Sequence, residues 1–460
     1  MNKIIKTFSV ILIFAFLLTT GVTCGGNGEQ ASLNPVVLDY WGVWNDSGDV
    51  AVLISDYRKI YPYVTINYRQ FRYEEYEREL LEAFAEDRGP DIFSVHNTWI
   101  NEYRTKTTPL PSQVRVARKI IEGDLRKQER VITEVKPSLA IKDINSIFPE
   151  VVGEDVVWVD TEAEMPTNKI YGLPLSLDTL VLFYNRDLLN NANIPQPPRN
   201  WEDFIGQVQS LTQKDSEGNI LVSGAALGTA DNVTRHFDIL SLLMMQNGTI
   251  MATKTGGPTF QEMPPGVSLP SPPGREALKF YTSFAQIDSG VYSWNNDLPN
   301  SLDAFIAGQS AFFFGYSYHI PVIESRAPKL NFEISQVPQV YENNRLNYAN
   351  YWVETVSKKT KSINHSWNFV QFITSQEEAE KYVNRANRPT ALRSLINSQL
   401  NDPDLDVFAD QILTAKSWYW GKDANAAEEV FKDMINDILG GESLSNSMDL
   451  AASRVNQTWR

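Results

Sequence analysis

Val36-Val37-Leu38-Asp39-Tyr40-Trp41-Gly42 is a short apolar run closed by glycine, and it reads as a buried β-strand. The next fifty residues set the fold class. Asp49 to Tyr61 places Val50, Leu53, Ile54, Tyr57 and Ile60 at helical spacing, and Pro62 ends that helix before a second strand, Val64 to Tyr68. A second helix is predicted over Tyr73 to Ala85. Gly89-Pro90 then breaks the chain ahead of a third strand, Asp91-Ile92-Phe93-Ser94-Val95. Strand, helix, strand, helix, strand is the signature of a parallel sheet covered by helices.

Upstream of that strand, the first 24 residues read as an export signal. Lys3 and Lys6 supply a positive n-region, Ile4 to Leu18 supply an apolar stretch too short for a comfortable membrane span, and the segment ends at Cys24, the only cysteine of the chain. The pattern suits a lipidated N-terminal cysteine followed by a flexible tether, residues 25–34. Gly21 and Thr23 depart from the usual aliphatic and small residues at those positions, and an ordinary secretory signal is the alternative reading. With 56 acidic against 41 basic side chains the net charge is -15, and no basic stripe is interleaved with aromatics, which excludes nucleic acid as an expected partner.

Lys106 to Glu150 is charge-rich, and its amphipathic segment from Val114 to Val135 reads as helical decoration. Leu180 to Tyr184 reads as a strand, Asn185 opens a helix, and Asn200 is placed to cap the helix that starts at Trp201. Asp215 to Asn219 reads as a hairpin turn. Six prolines between Pro258 and Pro273 mark a loop. Helical periodicity resumes at Arg275, Ser301 to Ala307 is a helix, and the Phe312 to Phe314 run a buried strand. From His365 onward the chain is mostly helical, with breaks at Arg388-Pro389 and near Trp418.

Taken in order, several blocks carry a resemblance: Tyr40-Trp41-Gly42, Gly89-Pro90-Asp91-Ile92, Tyr171-Gly172-Leu173-Pro174, Phe183-Tyr184-Asn185-Arg186-Asp187, Pro198-Arg199-Asn200-Trp201, Ala226-Leu227-Gly228, and Ala304 to Ala311. The string resembles the extracellular solute-binding proteins of ABC importers, in the sugar-binding group that includes maltose-binding protein. That resemblance implies an α/β, two-lobed periplasmic-binding-protein fold (type II), each lobe a mostly parallel sheet flanked by helices, joined by a hinge. Residues 35–178 plus 354–386 would form one lobe and 179–353 plus 387–460 the other, with crossings near Leu177 to Leu182, Asn350 to Val353 and Asn387 to Ala391. It further implies a monomer outside the cytoplasm that carries a small ligand, most simply a sugar or oligosaccharide, to ABC permease subunits, with no cofactor or metal and no catalytic step.

Sugar recognition needs flat apolar faces for pyranose rings and planar polar groups for hydroxyls, and open α/β sheets bind ligands beyond the carboxyl ends of their strands. That rule selects Trp44 and Asp46 after the first strand, Asn97 and Trp99 after the third, and Asp178 at the hinge. It adds Tyr316 and Tyr318 after the phenylalanine strand, Trp352 and Arg388 at the later crossings, and Trp420. Trp158, Trp201, Trp294 and Trp367 are expected to be packing residues. Two rival functions are a ligand sensor for a signalling receptor and a lipid-anchored glycoside hydrolase; G-x-S-x-G, H-E-x-x-H and phosphate-cradling motifs are missing and the four histidines are scattered.

Overall fold

The computed structural model describes residues 33–123, 127–162 and 164–459. Cys24, the expected signal segment and nearly all of the expected tether lie outside the described residues. Residues 117–134 form one compact unit, and residues 35–116 with 135–459 form the other.

In the larger unit the opening alternation folds as expected. Val36–Gly42 pairs in parallel with Val64–Gln70 along its whole length and with Ile92–His96 at Tyr40 and Trp41. The helix Ser47–Ile60 buries Val50, Leu53 and Tyr57, which its 3.6-residue period brings to one face. Two more strands complete this five-stranded sheet, Trp352–Val356 and Leu173–Pro174, and both pairings they make are antiparallel. A second five-stranded sheet runs in the order Gln213–Lys214, Ile220–Ala225, Ser310–Gly315, Val181–Asn185, Phe332–Ser335. Within it Ile220–Ala225 and Ser310–Gly315 pair in parallel, and the other neighbours are antiparallel. Both sheets are therefore mixed rather than mostly parallel, because strands from distant parts of the chain, and in the second sheet a local hairpin, add antiparallel pairings.

The apolar runs at the centre of two strands in the second sheet, Ser310–Gly315 and Val181–Asn185, are explained by burial on both faces. Leu182, Phe312 and Phe314 enter the main core, while Val181, Phe183 and Phe313 enter a separate cluster with Phe305, Ile323 and Phe408. Asn200 caps its helix as expected, its Oδ1 accepting from the Asp203 N–H at 2.8 Å. Trp158, Trp201, Trp294 and Trp367 are all buried.

The expected helical decoration is not found. Gln113–Glu122 and Gln128–Pro137 are two strands of a ribbon, not an amphipathic helix. Seven of its residues (Val114, Val116, Ile120, Ile121, Val131, Ile132, Val135) are β-branched and apolar, which favours extended backbone. Its charges pair between the strands, as in Arg118 with Glu134 at 2.7 Å and Lys119 with Glu129 at 2.6 Å.

The chain passes between the two large sheets after Pro174 and again before Trp352, and a third segment around Pro389 and Thr390 lies beside the first of these. Asp178–Thr179 pairs antiparallel with Ala349 and Asn350, and Ser176 bridges Thr390 while the Leu177 N–H donates to the Pro389 carbonyl at 3.2 Å. Asn387, with φ of 49°, ends the helix Gln376–Ala386 and turns the chain into the third segment. Gly228 follows the strand Ile220–Ala225 with φ of +102°, and a Cβ there would lie 2.6 Å from the Ala285 nitrogen. Gly228→Ala is accordingly expected to destabilise the protein by about 2 kcal/mol or more, read as a lowered denaturant midpoint in equilibrium unfolding.

Candidate functional site: an aromatic cleft at the crossing segments

Trp44 stands two residues beyond the first strand, and Tyr318 three beyond the strand Ser310–Gly315 of the other sheet. Their rings stack with centroids 5.0 Å apart and planes inclined by 26°. The stack continues on both sides. Tyr316 lies 5.8 Å from Tyr318 at 19°, Tyr73 lies 6.3 Å from Trp44 at 32°, and Trp99 lies 6.2 Å from Tyr73 at 25°. Trp352 meets Trp99 edge-on at 5.3 Å. Such tilted and edge-to-face contacts suit the ring quadrupoles, and they present flat apolar faces in a row.

Beside the Trp44 and Tyr318 pair lies a cavity of about 50 Å³, lined also by Asn45, Asp178, Trp352, Glu354, Tyr382 and Arg388. Its carboxylates are held by the protein. Asp178 accepts from the Thr179 N–H at 2.9 Å through Oδ1, and from the Ser317 N–H at 2.9 Å and hydroxyl at 2.6 Å through Oδ2. Glu354 accepts from Asn45 Nδ2 at 3.0 Å and from the Ser94 hydroxyl at 2.8 Å, and Asn45 in turn accepts from the Tyr382 hydroxyl at 2.6 Å. Burial pushes Glu354 up to about 7 and Asp178 up to about 6. His96, half-buried and edge-on to Trp352, is pushed down to about 4 by desolvation and by the nearby Arg235 charge, so it is neutral at pH 7.

Of the residues expected from sequence, Trp44, Asp178, Tyr318, Trp352 and Arg388 thus share one cavity, and Trp99 joins them through Trp352. Asn97 and Trp420 are drawn elsewhere. Asn97 Nδ2 and Trp420 Nε1 both donate to Asp155, at 3.2 and 3.0 Å, as do the hydroxyls of Tyr351 and Ser417. Tyr316 is fully buried and donates to Asp238 at 2.6 Å. Asp46 caps the helix Ser47–Ile60, its Oδ1 accepting from the Gly48 N–H at 2.7 Å, and does not line the cavity.

Residues that sequence reading missed include Glu354, Tyr382, Tyr73, Asp155, and the pair Arg235 and Asp238, whose bidentate contacts measure 2.7 and 2.9 Å. For Glu354 a signal existed: strand alternation puts it on the same face as Trp352, two residues before it. Arg235 adopts φ of 61°, a strained backbone for an arginine, which no sequence pattern announces.

A larger groove of about 670 Å³ lies around Tyr184, Arg186, Arg199, Glu333 and Arg345 and shares no residue with the cleft. Two of its arginines are paired, Arg186 with Glu333 at 2.5 Å and Arg345 with Asp410 at 2.5 Å, and among the described residues Tyr184 is the one aromatic ring that lines it. Among the described residues no group of three His, Cys, Asp or Glu side chains is placed to hold a metal ion, and no helix is long and apolar enough to cross a membrane.

This geometry coincides with a family match, since the model of the bacterial extracellular solute-binding proteins fits residues 45–380. The chain belongs to that family. A multiple sugar-binding protein of Streptococcus mutans is 21% identical over 274 residues, 59% of this chain and 63% of that one. A putative binding protein of Brucella abortus is 22% identical over 218 residues, 46% of this chain and 49% of that one. The chain spans about half the length of the first curated relatives it matches. Among solved structures, the sugar-binding protein MalE of Xanthomonas citri superposes with a TM-score of 0.68 at 18% identity, covering 92% of this chain and 97% of that one. The cyclic α-maltosyl-1,6-maltose binding protein of Arthrobacter globiformis gives 0.68 at 17%, covering 93% and 99%. These likenesses show the two-lobed type II periplasmic-binding fold for this solute-binding protein.

The raised Glu354 has a consequence for stability. A carboxyl whose pKa rises from 4.5 in the unfolded chain to about 7 in the folded one stabilises the fold while protonated, and that contribution is lost as pH rises between those values. Glu354→Gln is expected to flatten the fall in stability between about pH 4.5 and about pH 7, measured as unfolding free energy across that range.

Proposed function

We infer that this solute-binding protein captures a carbohydrate between its lobes and presents it to the permease of an ABC importer. The observation that carries the reading is the row of near-parallel rings centred on Trp44 and Tyr318, which come from different sheets. Aromatic faces take the C–H side of a pyranose ring, and the polar groups packed around them take its hydroxyls. The names of the relatives, a multiple sugar-binding protein and MalE among them, point the same way.

In this reading residues 35–178 with 354–386 form one lobe and 179–353 with 387–460 the other, so Trp44 and Tyr318 approach from opposite sides. Hinge motion at the three crossing segments opens and closes the cleft, and a ligand touching both lobes favours the closed form. Capture is reversible and involves no covalent step. Lipidation of Cys24 would hold the protein on the outer face of the membrane beside its permease, where a tether suits repeated delivery.

Isothermal titration calorimetry over a panel of sugars and oligosaccharides tests the reading. Saturable binding by a carbohydrate is expected, and Trp44→Ala should weaken it by roughly tenfold or more, the loss of one buried aromatic face. The Tm of that variant should change little, because Trp44 is 39% exposed. Unaltered carbohydrate affinity in Trp44→Ala, or binding confined to a peptide, polyamine or metal, would contradict it.

A further inference from the structure

Of the charged groups that line the cleft cavity, one has no hydrogen-bonding partner for its side chain among the described residues. Asp178 and Glu354 each have both oxygens engaged by protein donors. Arg388 differs. Its backbone is engaged, the N–H donating to the Val383 carbonyl at 3.0 Å and the carbonyl accepting from Gln399 Nε2 at 2.8 Å, which fixes the residue at the crossing. Its guanidinium makes no ion pair and no side-chain hydrogen bond to any described residue, although it lines the same cavity as both acids. The Arg388 charge does draw Asp178 down, but burial outweighs it and Asp178 and Glu354 both stand high, whereas a directly paired arginine would hold a carboxylate low.

A guanidinium offers five N–H donors in a planar fork, and desolvating it without an acceptor is costly. Closing a cleft over it therefore favours a ligand that brings the acceptor. We propose that Arg388 is a specificity-determining residue for a carboxylate, making the solute an acidic saccharide such as a uronic acid or a uronate-containing oligosaccharide. This rests on the carbohydrate reading above and narrows it. A carboxylate matches the fork through two parallel hydrogen bonds and carries the single charge that one arginine balances. A phosphate monoester brings nearly two negative charges, and among the described residues that line the cavity there is no second cation while Asp178 and Glu354 stand close by. The sugar ring itself would lie on Trp44 or Tyr318, beside the arginine.

Calorimetry with matched pairs tests the proposal: galacturonic acid and its dimer and trimer against galactose and its oligomers, and glucuronic acid against glucose. The purified chain should bind an acidic member at least about tenfold more tightly than its neutral counterpart. Arg388→Gln should lose that preference, and Arg388→Lys should retain part of it. The Lys variant also guards against a fold defect in the Gln variant, with Tm recorded for both. Equal binding of acidic and neutral members, unaltered in Arg388→Gln, would overturn the proposal and leave the carbohydrate reading standing. Absence of binding by every saccharide of both kinds would overturn the carbohydrate reading itself.

Discussion

The Asp155 carboxylate is shut away from water and receives hydrogen bonds from four side chains that lie far apart in the chain. They are Asn97 from the turn after the third strand, Tyr351 from the second crossing, and Ser417 and Trp420 from the segment before the long helix Ala424–Leu439. Burial alone would push its pKa up, and the four donors pull against that rise. A buried carboxylate is tolerable only with such a set of partners, and removing one leaves desolvated polar groups behind. Asp155 thus fixes the positions of the turn bearing Trp99, of Trp352 beside Tyr351, and of Trp420 relative to one another. Under the proposed division of lobes, it also ties the first to elements of the second.

With those elements placed, the cleft arises from packing. Trp352 stands edge-on to Trp99 and His96, Trp99 stacks on Tyr73, and Tyr73 leads to Trp44 and so to Tyr318. Behind this apolar row, Glu354 holds Asn45 and Ser94, from the loop after the first strand and from the third strand, which keeps the loop carrying Trp44 in register with the strand carrying Trp352. The hydrogen bonds of Asp178 to Ser317 do the same for the Tyr318 side. Acids that look like ligand contacts in the sequence are in large part internal braces, and Arg388 is the charged group lining the cavity whose side chain makes no hydrogen bond to the described residues.

Much of this is legible in the sequence, for physical reasons that differ by region. The alternation from Val36 to Val95 is readable because each helix buries one stripe and each strand is short and bounded by Pro or Gly. Trp44, Asp178, Tyr318, Trp352 and Arg388 are readable because they follow strands or sit at crossings, where an α/β sheet exposes side chains to a ligand. Asp46 meets the same rule and instead caps a helix, since a short acidic side chain just before an apolar stripe satisfies orphan N–H groups equally well. Asn97 and Trp420 are drawn to Asp155, a residue on the short helix Glu150–Val156 that no local pattern marks. The ribbon between Gln113 and Pro137 escapes a reading by periodicity because charges spaced for a helix face here pair across two strands.

The decisive measurement is a crystal structure of the protein with a bound acidic oligosaccharide. It should show a pyranose ring against Trp44 or Tyr318, with its carboxylate within hydrogen-bonding distance of the Arg388 guanidinium. A ligand seated instead in the groove between Arg186 and Arg345, or bound in the cleft with Arg388 turned away from it, would refute this assignment of the site.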